Sequence, residues 1–370
     1  MVSGTSSISY DCLLQKIEER YSELCAFGRL VPGSVVALTG DFDFSTVISL
    51  FALIKLECII VPFWRNLREK NGTLAELAGI DAEVVCGENG ITVVETSRPS
   101  VKHPLYLELL RLRQPGLVLF SSGSTGTPKG IVHNLQPILD KFVTRRPPAV
   151  TLGFLLFDHI GGLNTLFHTL FNGGCFITLP DRRPETVLAA IEQHQAQILP
   201  TSPSFLSLLL ISGLMGKRSL KSLRLITYGT EPMPQYTLQA IHAALPEIKL
   251  QQTYGMSELG ILSSKSENSE SLWVRIGGRG FETRVREGIL QIKAASSMLG
   301  YLNAPSPFTA DGWFITGDLV EQRWEFFRFL GRNSEVIIVG GEKVFPLEIE
   351  NVLLEMKNIS QAAVYGVPNA

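Results

Sequence analysis

The residues of this chain best suited to chemistry form one run, Ser121-Ser122-Gly123-Ser124-Thr125-Gly126-Thr127-Pro128-Lys129-Gly130, directly behind the apolar stretch Leu117-Val118-Leu119-Phe120. An apolar stretch of this kind ends a buried strand. Glycine reaches positive φ without steric penalty, so the backbone N–H groups of such a loop can converge, and convergent N–H groups bind anions. Lys129 adds a compact positive charge, and the hydroxyls of Ser121, Ser122, Ser124, Thr125 and Thr127 add neutral donors. A polyphosphate is the natural guest. A flexible polar linker has the same composition, but a solvated linker has no reason to sit directly behind a buried strand. A Walker loop G-x-x-x-x-G-K is excluded, because counting from Gly123 puts Pro128 where its second glycine must stand. The dinucleotide fingerprint G-x-G-x-x-G does not fit either.

Several strand-helix alternations surround this run and must position it. Val35-Val36-Ala37-Leu38 reads as a buried strand, Phe44 to Leu56 as a helix, and Cys58 to Val61 as a strand closed by Pro62, which together make a parallel α/β unit. Leu13, Leu14, Ile17, Tyr21 and Leu24 place a packing helix over about Asp11 to Phe27. Residues 66–114 carry few chemical signals, with short strands at Val84-Val85 and Ile91 to Val94. Leu152 to Phe157 is a second strand-like run, and Asp158 is placed to cap a helix from Ile160 to Phe171 that Gly173-Gly174 ends. Cys175 to Leu179 reads as a strand and Pro184 to His194 as an amphipathic helix. Leu223 to Tyr228 is an apolar strand followed at once by Gly229-Thr230-Glu231-Pro232, and Leu250-Gln251-Gln252 leads into Thr253-Tyr254-Gly255-Met256-Ser257-Glu258. Ligands of open α/β sheets bind beyond the carboxyl ends of strands, so both turns stand where a ligand would lie.

The order Ser-Ser-Gly-Ser-Thr-Gly-Thr-Pro-Lys-Gly closely resembles the phosphate loop of the adenylate-forming enzymes: acyl- and aryl-coenzyme A synthetases, peptide-synthetase adenylation domains and firefly luciferase. Other segments match the same family in the same order. Ile131-Val132-His133-Asn134 resembles its continuation into a helix, and Tyr254 to Glu258 resembles Tyr-Gly-x-Thr-Glu with serine for threonine. Gly300-Tyr301 and Gly312-Trp313-Phe314-Ile315-Thr316-Gly317-Asp318 match the Gly-Tyr and Gly-Trp-Phe-x-Thr-Gly-Asp elements. Gly331-Arg332-Asn333-Ser334-Glu335 resembles the Gly-Arg-x-x-Asp hinge, although Gly288-Ile289-Leu290 stands where the family has Gly-Glu-Leu.

The resemblance implies residue roles. Gly229, Thr230 and Glu231 would lie along the adenine, and Tyr254 would stack on it beside Thr253 and Gly255. Ser257 would reach the α-phosphate, and Glu258 would hold Mg²⁺, which favours hard oxygen ligands together with phosphates. Asp318 is the implied ribose ligand, because a carboxylate can accept from both hydroxyls of a cis-diol, with Arg332 behind it. His159, ahead of Gly161-Gly162, resembles the segment bordering the carboxylate substrate; the pocket would be walled by His159, Gly162, Leu163, Gly229, Gly255 and Met256, with Ile261 nearby. A capping histidine packed under the domain is the plainer reading of His159. The catalytic set is thus Thr125, Lys129, Ser257 and Glu258.

The implied fold is α/β: a large domain over residues 1–332, with doubly wound, mostly parallel sheets and a small β-barrel-like part. Residues 333–370 would begin a small α+β domain, incomplete here, after a hinge near Ser334. At 370 residues more than one lobe is expected, and 45% hydrophobic residues with mean hydropathy +0.18 describe a globular protein with a large interior. A net charge of −2, with no basic block, favours neither nucleic acid nor an anionic membrane. Cys12, Cys25, Cys58, Cys86 and Cys175 are scattered and odd in number, against a disulfide framework or a zinc site. No signal peptide is visible, and Lys55 and Glu57 interrupt the most apolar stretch, so a cytoplasmic location without a membrane span is expected.

The expected activity is ATP-dependent activation of a small carboxylic acid to an acyl-adenylate, with transfer to coenzyme A. The alternatives are a carrier-protein phosphopantetheine as acceptor, which makes an acyl-carrier protein a partner, an amine acceptor, or a catalytically dead acyl- or nucleotide-binding module. The family's small domain delivers a lysine to the reacting carboxylate; this sequence stops at Ala370, and neither Lys343 nor Lys357 matches that position. A slow adenylation step is therefore expected of this chain. An apolar pocket suits an aryl or acyl acid better than a free amino acid, whose ammonium would need an acidic partner; Asp158 stands near that place.

Overall fold

The apolar run ahead of the glycine-rich stretch forms the strand Gly116–Ser121, buried over its first four residues. It belongs to a seven-stranded sheet in the order Gly300–Tyr301, Lys129–Asn134, Gly116–Ser121, Ile59–Trp64, Val35–Gly40, Ala82–Gly87, Gly90–Glu95. The four strands from Gly116–Ser121 to Ala82–Gly87 are parallel, and those beyond them on either side are antiparallel. Val35–Gly40 is buried at every position, as a strand covered on both faces must be. Helix Phe44–Lys55 crosses over to Ile59–Trp64, capped by Asp43, which accepts from Thr46 N at 2.8 Å. Val35, Ala37, Ile59, Val61, Leu109, Val118 and Val132 form one buried cluster on this sheet.

This computed structural model describes residues 1–65, 71–87, 90–96, 102–121, 127–278, 280–356 and 358–367. Ser122, Gly123, Ser124, Thr125 and Gly126, and likewise Lys357, lie outside the described residues. The chain divides into two units. Unit 1 comprises Met1–Pro180, Met256–Gly260 and Ser296–Ser306; unit 2 comprises Asp181–Gly255, Ile261–Ala295 and Pro307–Ala370.

Unit 1 also holds the parallel pair Val150–Leu152 and Cys175–Ile177, joined through helix Ile160–Phe171. Unit 2 contains the parallel strands Ile198–Thr201, Leu225–Tyr228 and Lys249–Gln252, paired so that Thr201, Tyr228 and Gln252 end level. Helices Pro184–His194, Pro203–Ser212 and Gln235–Ala244 accompany them. The expected barrel-like part is a six-stranded antiparallel sheet in the order Ser264–Ser266, Val274–Ile276, Phe326–Arg332, Phe314–Arg323, Ile289–Ala294, Phe281–Arg286. Gln252 N donates to Ser266 Oγ at 2.8 Å, tying the two sheets of this unit. After Arg332 come a single turn, Asn333–Glu335, the hairpin Ile337–Val339 with Glu342–Val344, and helix Pro346–Leu354, which buries none of its residues.

Four local expectations are corrected. Ile131 to Asn134 does not begin a helix: Lys129–Asn134 is a strand, paired residue for residue with Gly116–Ser121, and the helix starts at Leu135 with Asn134 as its cap. Pro62 does not close its strand. Ile59–Trp64 runs through it, because pairing to Gly116–Ser121 ends at Ile60 and the missing proline N–H falls beyond that ladder. The run from Leu152 to Phe157 yields only Val150–Leu152, since its partner Cys175–Ile177 is three residues long. Asp158 does not cap Ile160–Phe171: His159 occupies the N-cap position and makes no side-chain capping bond.

Candidate active site

In unit 1 the glycine-rich stretch is the connection of a hairpin, with Ser121 opposite Lys129 and Phe120 opposite Gly130. Thr127 is exposed at its described edge. Asn303 holds the base of this connection: its Oδ1 accepts from Gly130 N at 3.1 Å and its Nδ2 donates to Pro128 O at 2.9 Å. Gly130 packs closely on Leu302: a Cβ there would stand 2.7 Å from Leu302 Cδ1, so that side chain would have to shift. Lys129 Nζ lies 5.3 Å from the centroid of the Tyr301 ring, within cation–π range. The Tyr301 hydroxyl donates to Glu258 Oε1 at 2.8 Å. Burial, reinforced by the Glu258 carboxylate, pushes the Tyr301 phenol up, so it stays a donor.

The Ser257-Glu258 backbone is held at both carbonyls. His133 Nε2 stands 2.5 Å from Ser257 O, which makes that nitrogen the N–H donor, and Met298 N donates to Glu258 O at 2.7 Å. His133 is fully buried, and desolvation lowers its pKa to about 4. It is therefore a neutral imidazole at ordinary pH, serving as a fixed donor rather than a proton shuttle.

Unit 2 assembles the residues expected at the nucleoside. Tyr254 is buried, stacks on Phe329 at 4.8 Å between centroids with 16° between planes, and donates from its hydroxyl to Asp318 Oδ2 at 2.6 Å. Burial, with the Asp318 charge added, pushes that phenol well above its usual range. Asp318 Oδ1 pairs with Arg332 Nε at 2.8 Å, and Arg332 Nη1 donates to Thr316 O at 3.1 Å. The pair faces directly across the antiparallel ladder, and the register shifts just beyond it, between Leu319 and Val320. Such a bulge re-aims side chains.

At the carboxyl ends of the parallel strands, Thr253 N donates to Tyr228 O at 2.7 Å. The Gly229 turn passes so close to this segment that a Cβ on Gly229 would stand 2.6 Å from Thr253 Oγ1. Thr230 adopts φ +75°, unusual for a β-branched residue. Glu231 Oε1 accepts from Ser204 N at 2.7 Å, so its carboxylate supports the first turn of Pro203–Ser212. Gly255 continues this segment, and the chain passes from unit 2 to unit 1 at Met256.

Of the residues expected around the acid, His159, Gly162, Leu163 and Met256 belong to unit 1, and Gly229, Gly255 and Ile261 to unit 2. His159 is exposed, with Asp158 Oδ1 3.8 Å from its Nε2. Leu163 is fully buried, and Gly162 packs so tightly that a Cβ would lie 1.9 Å from Leu156 O. Among the described residues no group of three or more His, Cys, Asp and Glu side chains can hold a metal ion. Glu258 offers a single carboxylate, which fits an ion carried in on a polyphosphate rather than one caged by protein. Among the described residues no helix is long and apolar enough to cross a membrane.

Sequence reasoning assigned no role to Tyr301, Asn303, His133 or Phe329. Gly300-Tyr301 and His133 stood inside matched segments, which was the available signal. Asn303 and Phe329 are placed by pairing between strands far apart in sequence.

The family described as AMP-binding enzyme matches residues 2–286. A 2-succinylbenzoate–CoA ligase of Listeria monocytogenes is 26% identical over 98% of this chain and 81% of its own length. The FadD10 medium/long-chain-fatty-acid–[acyl-carrier-protein] ligase of Mycobacterium tuberculosis is 28% identical over 69% of this chain, and the match spans 54% of that ligase. Some matches thus cover only about half the length of the curated relative. The crystal structure of ATP-bound MatB from Rhodopseudomonas palustris superposes with a TM-score of 0.78 at 22% identity, over all of this chain and 82% of that one. That likeness shows the fold.

Proposed function

Since this chain belongs to the AMP-binding enzyme family, we propose that it activates a carboxylic acid with Mg·ATP and passes the acyl group to a thiol. A carboxylate oxygen of the acid attacks the α-phosphorus. The bond from that phosphorus to the β-phosphate's bridging oxygen breaks, and pyrophosphate leaves. The thiol sulfur then attacks the acyl carbon, its proton passes to solvent, and AMP departs.

The observation that carries this reading is Asp318, a buried carboxylate oriented through both oxygens by Tyr254 and Arg332. Each oxygen keeps acceptor capacity for a ribose hydroxyl. Gly229, Thr230, Glu231, Thr253, Tyr254 and Gly255 serve the nucleoside; Ser121, Thr127 and Lys129, with the loop residues 122–126, serve the phosphates. Ser257 faces the α-phosphate and Glu258 the Mg²⁺, whose charge offsets that of the leaving pyrophosphate. Catalysis of phosphoryl chemistry is mostly positioning and electrostatic stabilisation, which fixed donors supply. The acid lies near His159, Gly162, Leu163 and Met256. Residues 1–332 form the nucleotide-binding domain, and 333–370 begin a smaller one after a hinge near Ser334.

Coenzyme A is the acceptor we favour, because the Listeria relative carries a CoA ligase name. A carrier-protein pantetheine is the second reading, favoured by the similarity to FadD10. ATP–pyrophosphate exchange with aryl, fatty and amino acids, beside a Glu258→Ala control, tests the function. Acid-dependent exchange lost in the control supports it. Tight ATP binding with no exchange for any acid, even after a small domain is restored, would instead favour a nucleotide-binding module.

A further inference from the structure

The strand Gly300–Tyr301 is an antiparallel edge on Lys129–Asn134, with Tyr301 opposite Ile131, so a ladder sets where its ring stands. From there one side chain reaches two motif residues of unit 1: its hydroxyl bonds Glu258 Oε1 and its ring lies beneath Lys129 Nζ. Both partners are mounted on the same framework. Lys129 begins the strand that pairs with Tyr301's own, and the Glu258 backbone is held by Met298 N, next to His133's bond to Ser257. A carboxylate at the end of a flexible side chain has several rotamers, and a bond to one oxygen selects among them. With Oε1 accepting from the phenol, the carboxylate is held in one orientation and keeps acceptor capacity for a cation.

We propose that Tyr301 is a positioning residue, which orients Glu258 toward the divalent cation of a bound nucleotide and holds the Lys129 ammonium on its ring face. The inference rests on the reading of Glu258 as the Mg²⁺-facing carboxylate. The two functions separate chemically: the hydroxyl serves the metal carboxylate, and the ring serves the phosphate-binding lysine.

The test is calorimetric titration of the 370-residue chain with ATP, once with Mg²⁺ and once with EDTA, for wild type, Tyr301→Phe, Tyr301→Leu, Glu258→Gln and the Tyr301→Phe/Glu258→Gln double variant, each checked by thermal melting. A hydrogen bond to a charged group predicts that Tyr301→Phe weakens Mg·ATP binding by about tenfold. Binding of metal-free ATP stays within about twofold, because the ring remains under Lys129. Tyr301→Leu weakens both forms. The double variant binds Mg·ATP no more weakly than Glu258→Gln alone, because the two changes remove one interaction. Equal loss with and without Mg²⁺ in Tyr301→Phe, or additive losses in the double variant, overturns the inference. If Glu258→Gln leaves the Mg²⁺ dependence intact, the reading of Glu258 fails and takes the inference with it. If Glu258→Gln abolishes that dependence while Tyr301→Phe preserves it, the reading stands and only the role of Tyr301 falls.

Discussion

Asp318 is held by two partners before any ligand arrives, the Tyr254 phenol on one oxygen and the Arg332 guanidinium on the other. A preoriented carboxylate loses little freedom when a diol binds, so its removal is felt directly in affinity. Asp318→Asn is expected to weaken ATP binding by about 10- to 100-fold, the range for a hydrogen bond to a charged group. Isothermal titration measures this, and an unchanged dissociation constant would remove Asp318 from the nucleotide site. His133 gives a prediction about pH. Its pKa falls from 6.5 to about 4 on folding, so between those values the unfolded chain binds more protons. Stability from this group is complete above about pH 6.5 and declines as pH drops toward 4, by up to about 3 kcal/mol. Urea denaturation between pH 4 and 7 should therefore show a shallower pH slope for His133→Gln than for wild type; identical slopes would contradict the assignment. At this scale the pairing of Arg332 with Asp318 was legible because the two stand in matched motifs that the resemblance sets together. Tyr301 and Asn303 were not, since a tyrosine and an asparagine acquire meaning only from partners that the fold brings near, Glu258 in one case and the last residues of the glycine-rich stretch, Pro128 and Gly130, in the other.

Helix Ile160–Phe171 shows how an element is fixed by one close approach. Gly162 lies against the Leu156 carbonyl, whereas a Cβ on Gly161 would meet Leu155 Cδ1 at 3.0 Å, the movable end of a side chain. Gly162→Ala should cost about 1–3 kcal/mol or more through backbone displacement, and Gly161→Ala less than about 1 kcal/mol. Thermal melts of the two variants check the contrast, and equal effects would refute it. The helices Phe44–Lys55, Ile160–Phe171 and Pro184–His194 were legible in sequence, because apolar spacing, the glycines after Phe171 and the proline at the start of Pro184–His194 agree there. Ile131 to Asn134 was not. Its β-branched pair suits a strand, but only the neighbour Gly116–Ser121 decides between a strand and a helix start. Pro62 misled for a related reason, since whether a proline ends a strand depends on which neighbour its missing N–H would have faced.

For the whole molecule, family membership and the alternating α/β architecture were readable because short motifs recur in a fixed order along nearly the entire chain. The division into two units was less so: Met256–Gly260 and Ser296–Ser306 belong with residues far upstream, and no local signal marks such a return. The central claim is that this chain makes an acyl-adenylate, in which one oxygen of the acid becomes bonded to the α-phosphorus. The most direct measurement is the fate of ¹⁸O from the carboxylate of an acid that supports exchange, incubated with Mg·ATP and coenzyme A and read by mass spectrometry of the products. The account predicts one ¹⁸O atom in AMP and the other in the thioester. AMP free of label, or ADP and phosphate as the nucleotide products, would contradict it.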